Sequence, residues 1–141
     1  MSAQRDRLSG SRARRRLLFI EDHDDTRLMY LEHFQRLGFQ VETARCGNDG
    51  IAAALRTKPD VIVVDLMLPE LDGWDTTALL SAYPTTATTP IVACTAVTNE
   101  DAPRRARALG CRHIVRKPCL PADVEEAIDA VLASTAEEDA G

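Results

Sequence analysis

The sequence predicts an α/β fold built on a parallel sheet, and three observations carry that reading. Short apolar runs recur along the chain at Leu17–Ile20, Val61–Val64, Ile91–Cys94 and His113–Val115. Stretches of helix length and helical periodicity lie between them, which is the pattern of strand–helix–strand units with right-handed crossovers. The runs do not alternate apolar with polar residues, so the strands are buried on both faces, as in a parallel sheet covered by helices.

Taken in order, LLFI at 17–20 is strand 1 and runs directly into the acidic segment EDHDD. Residues 25–37 form the first helix, with Leu28, Leu31, Phe34 and Leu37 at spacings of three as its apolar stripe. Asp24 or Asp25 is placed to cap it, and Gly38 ends it. Gln40–Ala44 is a short second strand, followed by a helix from Asn48 to about Arg56. VIVV at 61–64 is the third strand and ends in Asp65; Pro69 and Asp72-Gly73 mark the loop beyond it. Trp74–Tyr83 is a helix carrying Ala78, Leu79 and Tyr83, with Pro84 just past it. PIVACTA at 90–96 is the fourth strand, ending in Thr95. Residues 102–109 are a short arginine-rich helix with Pro103 in its first turn. HIVRKP at 113–118 is the fifth strand, ending in Lys117-Pro118. Pro121 opens a last helix through about Ala133, whose Val124, Ile128, Val131 and Leu132 face the core.

The strand ends carry the chemistry. Burying an ionised carboxylate costs several kcal/mol unless something compensates it, so Asp65 must sit where its strand leaves the core. Ligands of open α/β sheets bind at that edge. Singly, each strand-end residue has a plainer reading: Asp65 as a cap, Lys117 as a solvated charge, Thr95 as a β-branched strand residue. With the strands parallel and adjacent, two or three carboxylates, one hydroxyl and one ammonium converge. Such a set suits a hard divalent cation, Mg²⁺, together with a phosphoryl group.

With Glu21-Asp22, Asp65 and its LPELDG continuation, Thr95-Ala96 and Lys117-Pro118 in this order, the chain resembles the receiver domain of two-component response regulators over about residues 16–133. The resemblance implies a five-stranded, flavodoxin-like doubly wound sheet of order 2-1-3-4-5 with five helices. Its switch point, between strands 1 and 3, is where Glu21-Asp22 and Asp65 fall. It further implies that Asp65 is the phospho-acceptor, that Mg²⁺ is held by Asp22, Asp65 and the backbone carbonyl of Met67, and that Glu21 acts through water or by holding Lys117. Lys117, aimed by a cis bond to Pro118, and the Thr95 hydroxyl would each bind a phosphoryl oxygen, with the small Ala96 leaving room. The implied partners are a histidine kinase or histidine phosphotransfer protein upstream and a downstream protein on the helix 4–strand 5–helix 5 face. Two positions depart from the pattern: Ile114 stands where an aromatic is usual, and Cys119 where Phe usually follows Lys-Pro. They bear on how the output face responds more than on phosphorylation.

Two other readings compete with this one. A receiver-like adaptor would bind partners without regulation by phosphate. A small phosphatase of related fold also uses a strand-end Asp, but wants a second Asp two residues on, where this chain has Met67. The expected product is a phospho-accepting signalling protein, not an enzyme. His23 reads as a solvated loop residue, with metal ligation as its other reading; His33 and His113 read as structural, and Trp74 as packing at the start of helix 3.

Composition agrees. A chain of 141 residues suffices for one domain with its own core. No apolar run approaches the roughly 20 residues of a membrane span, and the basic start carries no secretory pattern. Cys46, Cys94, Cys111 and Cys119 show neither a CxxC pair nor metal-site spacing, and read as reduced thiols of a cytoplasmic protein. Residues 1–16 hold six Arg against one Asp, net +5, leaving −10 over the remaining 125. Residues 1–15 are expected to be a disordered basic arm and 134–141 a flexible acidic tail, flanking a receiver domain at 16–133 with no output domain; nucleic acid is not an expected partner.

Overall fold

The computed structural model describes residue 12 and residues 14–68, 70–96 and 101–140, without the side chains of 136–140. Five strands alternate with five helices: β1 (Arg16–Ile20), α1 (Asp24–Arg36), β2 (Gln40–Ala44), α2 (Gly47–Thr57), β3 (Val61–Asp65), α3 (Gly73–Ala82), β4 (Ile91–Thr95), α4 (Ala102–Ala108), β5 (Cys111–Arg116) and α5 (Pro121–Ala140). All strand pairs are parallel, in the expected order β2-β1-β3-β4-β5.

The order decides which helices share a face. The chain steps from β1 outward to β2, then crosses back over β1 to β3 and continues in the new direction. With right-handed crossovers, that reversal puts α1 and α5 on one side and α2, α3 and α4 on the other. Two cores follow. Leu17 and Phe19 of β1 pack with Tyr30, Phe34, Val124 and Ile128. Leu18 and Ile20 pack with Ala54, Leu80 and Ala106 on the opposite face. Alternation along one strand thus feeds both cores, which is why the strand itself reads as uninterrupted apolar sequence.

The helices differ from expectation in instructive ways. In α1 the buried residues are Tyr30 and Phe34, while Leu28 is 53% exposed. A strict spacing of three drifts by about 60° per step around a helix of 3.6 residues per turn, so the four-residue stripe cannot stay on one face. The N-cap of α1 is His23, with no side-chain cap bond, and both Asp24 and Asp25 lie inside the first turn. Gly38 follows the helix at φ +101°, the left-handed conformation a C-terminal glycine supplies. Helix α3 starts at Gly73, one residue before the expected start, capped by Asp72 Oδ1 accepting from the Asp75 N–H at 2.8 Å. It buries Thr76, Thr77 and Leu80, not Leu79 or Tyr83. The two threonines are tolerated there because each hydroxyl donates to the carbonyl four residues back, Asp72 and Gly73.

Helix α5 runs to Ala140, through the segment read as a tail; STAEEDA has no Gly or Pro to stop a helix. The arm expected over 1–15 lies largely outside the described residues. Arg12, however, is described, and its guanidinium pairs with Glu125 and Asp129 of α5 and sits 5.9 Å from the Phe39 ring centroid.

Candidate functional site

Register aligns the carboxyl ends of the strands. Ile20 of β1 pairs with Val64 of β3, so Glu21 emerges beside Asp65. Asp65 pairs with Cys94, and Thr95 with Arg116. The Lys117 N–H donates to the Thr95 carbonyl at 2.8 Å, carrying the β4–β5 ladder one residue further. Glu21-Asp22, Asp65, Thr95 and Lys117 therefore share one edge, as the spacing predicts.

The Lys117 ammonium sits between two carboxylates. Its Nζ donates to Asp65 Oδ2 at 3.0 Å and to Glu21 Oε1 at 3.2 Å. The remaining oxygens are also occupied: Glu21 Oε2 accepts the His23 N–H at 3.1 Å, and Asp65 Oδ1 accepts the Met67 N–H at 2.8 Å. Glu21 and Asp65 are only 3% and 6% exposed, so an unpaired charge on either would be costly. Asp22 is exposed on the same rim, and ligand oxygens of Glu21, Asp22 and Asp65 all lie within 4.8 Å of one another.

The electrostatics follow from this crowding. Burial pushes the Glu21 carboxyl above its ordinary value, and the nearby Asp65 pushes the same way; the His23 N–H and Lys117 only partly offset them. For Lys117, burial works against the charge. The hydrogen bond to Asp65 and the attraction of both carboxylates outweigh it, so the ammonium is held above its ordinary value. Three carboxylates thus face one ammonium, leaving an excess of negative charge in a half-closed, all-oxygen setting. That donor set matches a small hard cation.

Most residues singled out in the sequence meet here. Glu21 holds Lys117 directly, one of the two roles left open for it. Thr95 is 2% exposed at the end of β4. The Lys117–Pro118 peptide is cis. Met67 turns its side chain outward, 58% exposed, while its N–H binds Asp65. Trp74 is buried in the first turn of α3, with the Arg105 guanidinium 4.3 Å from its ring centroid. Val97, two residues past Thr95, lies outside the described residues. His33 stands away from the edge, with its Nε2 3.0 Å from Glu125 Oε1.

Two contributors were not singled out from sequence. Arg27 reaches back from α1 to donate to the Glu21 carbonyl at 3.0 Å and pairs with Asp24, so it ties the acidic loop to the helix. The i, i+3 spacing of Asp24 and Arg27 on a helix was its signal. Gly73 lies so close to the end of β3 that a Cβ there would fall 2.1 Å from the Asp65 carbonyl oxygen and 2.3 Å from Leu66 Cα. Any side chain at 73 would displace the backbone that carries Asp65.

Comparison with known proteins gives one answer. The family model for the response regulator receiver domain matches residues 17–129. Protein PilH of Pseudomonas aeruginosa is 30% identical over 118 residues, spanning 84% of this chain and 98% of that protein. The transcriptional activator PfeR of the same bacterium is 33% identical over 117 residues, but the chain spans only 37% of its length. Among solved structures, the chemotaxis response regulator CheY4 of Vibrio cholerae superposes with a TM-score of 0.79 at 25% identity, covering 84% of this chain and 99% of that one. The receiver domain of a Pseudomonas aeruginosa sensor histidine kinase, solved with a magnesium ion coordinated in its active-site cleft, gives a TM-score of 0.77 at 24% identity over 86% of this chain and 99% of its own. Matched over most of its length in sequence and in fold, the chain belongs to the response regulator receiver domain family.

Proposed function

We propose that this receiver accepts a phosphoryl group on Asp65 from a histidine kinase or histidine phosphotransfer protein, with Mg²⁺ as cofactor, and switches a downstream protein. The observation that carries the reading is the convergence of Glu21, Asp22, Asp65 and Lys117 on one strand-end edge, with Asp65 at its centre. The donor set fits Mg²⁺: Asp22 and Asp65 would hold it with the Met67 carbonyl, and Glu21 would act through water or through its hold on Lys117. When bound, the ion supplies neutralisation of carboxylate and phosphoryl charge.

The chain's own residues do the rest. One Asp65 oxygen attacks phosphorus; the O–P bond forms as the P–N bond to the donor imidazole breaks, and the imidazole takes up a proton. Little acid–base work is needed, because phosphoryl transfer depends chiefly on positioning and charge neutralisation. Lys117, already 3.0 Å from Asp65, passes one hydrogen bond to the incoming phosphoryl oxygens. The Thr95 hydroxyl binds another and couples the phosphate to the loop after β4. The output surface is the α4–β5–α5 face, where exposed Arg116 of β5 stands beside Asp123 and Glu126 of α5.

The test is direct. Incubation with acetyl phosphate and Mg²⁺ should add one phosphoryl mass to the intact chain, and EDTA or Asp65→Asn should abolish the addition. Full labelling of Asp65→Asn sinks the assignment.

A further inference from the structure

Behind the strand-end edge, on the α1–α5 face, two thiols and a phenol meet. Cys94, the penultimate residue of β4, is 2% exposed. Cys119, the residue after Pro118, packs against the same core and remains partly open to solvent. Cys119 packs against the cluster that contains Cys94, and the Tyr30 hydroxyl lies 3.9 Å from Cys119 Sγ. All four cysteines of the chain are free. Phosphoryl transfer calls on none of these groups.

We propose that Cys119 and Cys94 are a modification site for hydroperoxides, Cys119 being the thiol that is oxidised and Cys94 the one that resolves it into an intramolecular disulfide. The thiolate is the reactive form of cysteine, and it is favoured where donors and cations surround a partly exposed sulfur. Cys119 meets each condition. The neighbouring Cys94 acts first, and the Tyr30 hydroxyl and Lys117 add to it against burial, holding Cys119 down to about 6. Cys111, with only Thr77 to offset its burial, is pushed up to about 11. Cys94 is the complement: closed to solvent, shifted well upward, and part of the core cluster against which Cys119 packs.

The steps balance. The Cys119 thiolate attacks a peroxide oxygen; the S–O bond forms, the O–O bond breaks, and the departing alkoxide or hydroxide takes up a proton. Sulfur loses two electrons and the peroxide gains them. The Cys94 sulfur then attacks the sulfenic sulfur; the S–S bond forms, the S–O bond breaks, and water leaves with the Cys94 proton. Because Cys94 precedes Thr95 and Cys119 follows Lys117-Pro118, the disulfide would tie together the two segments that carry those site residues. That last consequence rests on the phospho-acceptor reading; the thiol chemistry does not.

The experiment treats the reduced full chain with hydrogen peroxide and maps peptides without reduction. A Cys94–Cys119 linked peptide and an intact mass lower by two hydrogens are expected. Cys94→Ser should stop at a dimedone-trappable sulfenic acid on Cys119, and Cys119→Ser should leave Cys94 unmodified. Iodoacetamide at neutral pH should alkylate Cys119 about tenfold or more faster than Cys46, which is also partly exposed. Earlier oxidation of Cys46 or Cys111, or a disulfide between two chains, overturns the proposal. In a parallel arm the linked protein should take up phosphate from acetyl phosphate several-fold more slowly, with recovery on dithiothreitol. Reduced protein that takes up none would overturn the phospho-acceptor reading while the peptide map still decides the disulfide.

Discussion

Replacing Lys117 by methionine isolates what the ammonium does, because the apolar stem is kept and only the charge goes. In the folded protein that charge lies 3.0 Å from Asp65 and 3.2 Å from Glu21, both buried. Removing one partner of a fully buried ion pair costs about 3–5 kcal/mol. The Lys117 side chain is 27% exposed, so solvent screens part of this and a loss of about 2 kcal/mol is expected at neutral pH without divalent cations. For a domain of this size that is a fall in Tm of roughly 6–10 °C. The loss should depend on pH, and its sign follows from Glu21. Burial already raises the Glu21 carboxyl above its ordinary 4.5, and losing Lys117 raises it further. A carboxyl raised in the folded state takes up its proton before the unfolded chain does, so lowering the pH favours folding of the variant relative to wild type. Urea unfolding with EDTA present, at pH 7 and about pH 5, should show the deficit shrinking at the lower value. A deficit under about 0.5 kcal/mol at neutral pH, or one that is equal at both, would refute the electrostatic account of the site.

Three further outcomes follow from the same geometry. Titrating Mg²⁺ against the fluorescence of Trp74, buried in the first turn of α3, should show affinity at least about tenfold weaker in Asp22→Ala, equivalent to roughly 1.4 kcal/mol; equal affinity would put the ion elsewhere. Gly73→Ala should destabilise the fold by about 3 kcal/mol and slow labelling of Asp65, because the new methyl meets backbone that cannot move independently; wild-type stability would show that the α3 start can slide. Met67→Asn should speed loss of the acyl phosphate, since an exposed apolar side chain two residues past Asp65 gives an attacking water nothing to bind. In the family the residue two after the Thr flanks the same water path, so Val97→Glu is expected to do the same, and slower or unchanged decay in both would contradict the argument.

What could be read from sequence was what strand periodicity and charge make visible. Asp65 and Thr95 each interrupt an apolar run where its strand ends, and Lys117 follows just past the end of the fifth; burial cost draws such residues to the sheet edge. The helices were harder. Leu28 and Leu79 look like core residues by type, yet each is more than a third exposed. Thr76 and Thr77 look like surface residues, yet their hydroxyls are satisfied within the helix and they vanish into the core. Arg27 and Arg12 act through long side chains that cross between elements, and no local pattern of sequence says where such a chain will land. Gly73 is legible only once the distance to Asp65 is known, because a helix-start glycine is otherwise unremarkable.

The most direct test of the central claim is to locate the acyl phosphate itself. Borohydride reduction of the chain after acetyl phosphate and Mg²⁺ treatment converts a phosphorylated aspartate to homoserine, a change readable by peptide mass mapping. Homoserine at position 65, absent when EDTA is included, is the predicted result. Homoserine at position 22, or none at any position after quantitative phosphoryl addition, would contradict the account.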